Sequence, residues 1–229
     1  MNDTRASEPE SPAGSSAVEA LLNPIEGRIL ASLLEKAATT PEQYPLTVNA
    51  LQLACNQKNN REPLMQLDPG EIIHALRTLE NRGWSRQSAQ GQRAQRWEHS
   101  FDKHLNLTPR RAAVICTLLL RGPQTLAEIH TRSERLAAFP DVEDVRDTLE
   151  RLIERDPPLV VRLPRQPGQR EERFMHLLYG PVDPALLTES AALPRGARGN
   201  GGLEARIEAL EAEVAELRRA LIAVGGLDE

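Results

Sequence analysis

The side chains able to do chemistry are thinly spread along this chain. Five histidines stand at positions 74, 99, 104, 130 and 176, and two cysteines at 55 and 116. No cluster of them has the spacing that holds zinc or activates a thiol. His99 and His104 are neighbours in sequence, but they follow a strand and read as a solvated pair. No phosphate-cradling glycine loop, dinucleotide fingerprint or nucleophile elbow occurs. The carboxylates of 141–156 sit among arginines at helical spacing, the pattern of ion-paired helix faces. The chain therefore reads as a non-enzyme with no cofactor and no metal.

Recognition chemistry is concentrated in one place. The run Asn56-Gln57-Lys58-Asn59-Asn60-Arg61 joins amides to two cations. Amides pair bidentately with adenine, and cations with phosphate or guanine. His74, Arg77, Arg86, Arg93 and Arg96 follow in the same half of the chain. The candidate nucleic-acid contacts are thus Gln57, Lys58, Asn59, Asn60, Arg61, His74, Arg77, Arg86, Arg93 and Arg96. A structural reading stands beside this one: Asn and Gln cap turns through their own backbone, arginines coat exposed strands, and Trp84 and Trp97 belong in a core.

The elements that must position these groups come as an internal repeat. Asn23-Pro24 and Thr108-Pro109 each open an apolar helix, the first residue capping and the proline taking a position that needs no N–H. Glu26 completes a capping box in the first copy, where the second has Arg111. A short helix begins near Thr47 and again near Thr125. A third follows Asp68 and Asp141, with Ile72, Leu76, Leu79 and Arg82 matching Val145, Leu149, Leu152 and Arg155 at constant offset. Both copies then turn extended. Trp84–Ser88 and Ala94–His99 flank the turn Gln90-Gly91-Gln92, and Leu159–Leu163 and Arg173–Leu178 flank a Pro/Gly/Gln loop.

Three helices and a hairpin give the expected fold: mainly α with small β-hairpin wings, as two tandem winged helix-turn-helix domains plus a C-terminal coiled-coil helix. The boundaries are a disordered tail over 1–20, domains at 21–102 and 103–182, a Pro/Gly-rich linker over 183–202, and the coil at 203–224. In the coil, Leu203, Ile207, Leu210, Val214, Leu217, Leu221 and Val224 alternate spacings of four and three, a heptad seam expected to form a homodimer. Folding back onto its own domain is the alternative.

Composition fits this picture. Aromatics are 3% of 229 residues, so Leu, Ile, Val and Ala must build the core. No run reaches the length of a membrane span, and the acidic, Pro- and Ser-rich start is unlike a signal peptide. Cys55 and Cys116 lie in apolar helical runs and read as buried free thiols of a cytoplasmic protein. The net charge of −5 belongs to the two ends, which leaves near-neutral domains rather than a basic body. Residues 141–155 hold six acids against three arginines, so the third helix of the second copy is a poor reader of DNA.

The segments LLEKAATTPEQYPLTVNALQLACNQKNNREPLM, LLLRGPQTLAEIHTRSERLAAF and VVRLPRQPGQREERFMHLLYG resemble the YceH family of uncharacterised bacterial proteins, over about residues 20–182. The resemblance implies a tandem winged-helix fold in a bacterial cytoplasm, and the coiled-coil tail is of the family's kind. It implies no activity and no site residues. Where the family more often has a basic residue and then Tyr, the first return strand here runs Arg93-Ala94-Gln95-Arg96-Trp97. Two functions stay open: a DNA-binding transcriptional regulator acting through the first domain, or a protein–protein scaffold that never touches nucleic acid.

Overall fold

Polar caps and apolar stripes place the helices where the repeat puts them. The computed structural model describes residues 20–88, 94–165 and 169–182; residues 89–93 with the candidate Arg93, residues 166–168, residues 1–19 and everything from 183 onward, where the coil is expected, lie outside the described residues. Helix α1 (Pro24–Thr39) starts at Asn23, whose Oδ1 accepts from Glu26 N at 2.9 Å while Glu26 Oε2 accepts from Asn23 N at 3.0 Å. Its counterpart α5 (Pro109–Arg121) is capped by Thr108 alone, because Arg111 offers no carboxylate. Capping boxes also open α3 (Pro69–Asn81) at Asp68/Glu71 and α6 (Leu126–Ser133) at Thr125/Glu128. Thr47 caps α2 (Val48–Cys55) and Asp141 caps α7 (Val142–Ile153).

The third helices bury the same face. Ile72, Ala75, Leu76 and Leu79 of α3 correspond to Val145, Thr148, Leu149 and Leu152 of α7. Each is followed by an antiparallel pair. Strand β2 (Ser85–Gln87) meets β3 (Arg96–His99) with Arg86 opposite Glu98, and β4 (Val160–Leu163) meets β5 (Arg173–His176) with Arg162 opposite Phe174. A short strand the sequence did not suggest, β1 (Leu46–Thr47), adds to the outer edge of β3. In the second half Gln124 alone takes that place, exchanging both backbone hydrogen bonds with Phe174. A one-turn helix, α4 (Phe101–His104), links the halves.

The core runs across both copies without a break. Helix α1 packs on α5, so both are buried nearly all round, over Glu26–Leu34 and Ala112–Leu120. The Cys116 thiol donates to Ala31 O across this contact at 3.3 Å. Both cysteines are free and fully buried, and burial pushes the Cys55 thiol up to about 11 and Cys116 higher still. The chain closes on itself where Leu178 O accepts from the backbone N–H of Leu21 and Leu22. Among the described residues no helix is long and apolar enough to cross a membrane.

Candidate functional site

The connection from α2 to α3, residues 56–68, is held by two buried arginines, Arg28 and Arg61. A helix C-terminus leaves carbonyls without partners. Here the last two of α2 end on arginines: Ala54 O accepts from Arg61 Nε and Cys55 O from Arg28 Nη1, each at 3.0 Å. Arg28 lies in the middle of α1, 1% exposed, and its Nη2 also holds Pro63 O at 2.6 Å. Burial, then repulsion from Arg61, holds its guanidinium below the usual arginine range. Arg61 grips Glu35 with both terminal nitrogens, at 3.2 and 2.6 Å, a bidentate pair. Asn56 then spans the base of the loop, donating to Leu67 O and accepting from Leu67 N, both at 2.9 Å. Glu62 N donates to Leu120 O at the end of α5, tying the loop to the second half.

This scaffold sorts the sequence candidates. Arg61 does not reach solvent: its side chain is fully buried and spent on Glu35, Ala54 O and Asn60 O. The expectation that it contacts nucleic acid is corrected, because a guanidinium capping a helix end cannot also meet phosphate. Arg96 is half-buried and donates to Pro45 O, and Arg86 is exposed but paired with Glu98 at 2.5 Å. Gln57 is half-buried. Lys58, Asn59 and Asn60 form the exposed tip, with Asn60 at φ 63°, a left-handed geometry that asparagine tolerates. His74 and Arg77 lie exposed on the outer face of α3. Trp84 and Trp97 are core residues.

Other residues of the site gave little sign of themselves. Leu53, Leu64 and Ile73 are 74%, 54% and 36% exposed, the large apolar side chains left open among the described residues. All three fall on α2, the loop and the first turns of α3. A signal existed for Leu53 and Ile73: each falls outside its helix's apolar stripe, and the repeat places Thr131 and Arg146 at their positions in the second copy. That copy shows how the same face looks when closed. Its shorter connection turns Phe139 inward, with Arg110 above the ring, bonded to Ala138 O and Asp144.

The arrangement offers no nucleophile, and among the described residues no three His, Cys, Asp or Glu gather as a metal would require. It offers a loop held by buried hydrogen bonds, with exposed Leu64 on it and exposed Leu53 and Ile73 on the helices either side. Comparison with known proteins places this helix-rich architecture in a bacterial family described as "Protein of unknown function, DUF480", whose pattern matches residues 22–169. Among similar proteins, the UPF0502 protein of Azotobacter vinelandii is 55% identical, covering 83% of each chain. That of Mesorhizobium japonicum is 50% identical over 90% of this chain and 97% of its own, and that of Pseudomonas putida 52% identical over 85% and 90%. The chain belongs to this DUF480 family, whose members carry the UPF0502 name.

Proposed function

We propose that the chain is a non-enzymatic, cytoplasmic tandem winged-helix protein whose first module binds protein through the face made by α2, the 56–68 loop and α3. One observation carries the reading: the large exposed apolar side chains among the described residues, Leu53, Leu64 and Ile73, all belong to these three segments. Exposed apolar surface rimmed by polar groups marks a protein-binding site, and α2 and α3, which carry two of these side chains, pack against each other. The cations a DNA surface needs have mostly gone elsewhere. Of the first-module arginines and lysine in the candidate set, Lys58 and Arg77 are exposed without an ion pair among the described residues.

Those two cations, with the Asn59 and Asn60 amides, support the second reading, DNA binding by the same module. One pair of full-length variants separates the two. Leu53→Glu with Ile73→Glu should abolish capture of a protein partner while the chain remains folded. Lys58→Ala with Arg77→Ala tests DNA: each lost phosphate contact lowers the salt slope of log affinity by about 0.9. Salt-sensitive binding to pooled genomic fragments that falls by this amount, with partner capture unchanged in the apolar variant, would replace the protein reading by the DNA one.

A further inference from the structure

Resting on the reading that this face binds protein, we infer that the protein it binds is a second copy of the chain, through the outer face of α7. The repeat makes the two faces directly comparable. Outward positions of α3 correspond to those of α7: His74 to Asp147, Arg77 to Glu150, Asn81 to Glu154. At these positions one helix carries a cation and two neutral side chains where the other carries three carboxylates. Most of the α7 charge is neutralised within its own module: Glu143 pairs with Arg146, Asp144 with Arg110, and Glu150 with Arg162. Asp147 and Glu154 are exposed and have no ion pair among the described residues. They stand seven residues apart, one in the middle of α7 and one just past its end, about 10 Å along the helix direction, with the exposed Arg151 between them. Lys58 and Arg77 are their counterparts in sign, exposed and equally unpaired.

The apolar parts also find a match. Leu64 and Ile73 flank the start of α3, and at the start of α7 the chain presents exposed Ala138 and Pro140 with half-buried Val142. The second module therefore carries a small apolar rim beside Asp147 and Glu154, as the first carries a larger one beside Lys58 and Arg77. Every copy holds both faces, so the contact is heterologous. Because exposed charges orient it, added salt weakens it.

The chain's lysines stand at 36, 58 and 103, which allows a direct test. Full-length protein labelled with nitrogen-15 is mixed with unlabelled protein and treated with a carbodiimide that joins lysine to carboxylate without a spacer. Mass spectrometry should find peptides of mixed isotope linking Lys58 to Asp147 or Glu154, fading as salt is added. Arg77→Glu should cut their yield at least severalfold, and adding Asp147→Arg to that variant should restore the Lys58–Glu154 link. Links from Lys58 confined to one chain, links to carboxylates away from α7, no Lys58 link, or a yield indifferent to Arg77→Glu would each overturn the inference. If any of these occurs while Leu53→Glu with Ile73→Glu still abolishes capture of another protein, the protein-binding reading stands and its occupant is different.

Discussion

Two cations three residues apart, Lys58 and Arg61, look interchangeable in the sequence and have opposite fates. Arg61 is buried against Glu35 and caps α2, whereas Lys58 stands in solvent at the loop tip. Removing one partner of a buried pair leaves the other charge uncompensated, at a cost of about 3–5 kcal/mol. We therefore expect Arg61→Ala to lose about that much in urea unfolding, and Lys58→Ala to stay within about 0.5 kcal/mol of the parent. A buried histidine gives a second test. His176 is 1% exposed, its Nδ1 has no hydrogen-bond partner among the described residues, and burial lowers its pKa to about 3. Its folded value lies below the unfolded 6.5, so the unfolded chain takes up the proton first and stability falls as pH drops below 6.5. Between pH 7 and 5 this amounts to about 2 kcal/mol. His176→Phe keeps the ring against Tyr179 and should remove that part of the pH dependence, measured as urea midpoints at the two pH values.

At the scale of elements, the helices were legible because caps and stripes are local. Asn23, Asp68, Thr125 and Asp141 each announce a start, and the third helices share one apolar register. What could not be read was how the elements meet. Helix α1 carries Gly27, Arg28 and Ser32 inside a buried run, since α5 covers a side that an isolated amphipathic helix would leave wet. Nothing in the spacing of residues 56–61 says which cation turns inward, because the choice depends on Glu35, twenty-six residues away. Gly27 is part of the same packing: a Cβ there would come within 2.6 Å of Tyr179 Cε1. Overpacking of this kind costs about 1–3 kcal/mol, because the half-buried Tyr179 ring must shift to make room. We expect Gly27→Ala to lower the unfolding midpoint accordingly, and Gly27→Ala with Tyr179→Leu to recover part of the loss.

For the whole molecule, self-association is expected through the C-terminal segment. The seam from Leu203 to Val224 is about three heptads, marginal for an isolated coil, with β-branched residues and leucines placed as in two-stranded coils. Light scattering should give a dimer for the full chain and a lower mass for a chain ending at residue 200. A shortened chain as dimeric as its parent would remove the coil from the account.

The hydrogen bond from Glu62 to Leu120, together with the core shared by α1 and α5, has a consequence for genetics. Regions that share buried contacts open together, as one cooperative unit. A cavity cut at Ile115 or Leu118, buried in the second half, would loosen the loop tip at Lys58 without touching it. Such a change would score as a binding defect in any screen that reads only binding, and would send the search for the site to the wrong half of the chain.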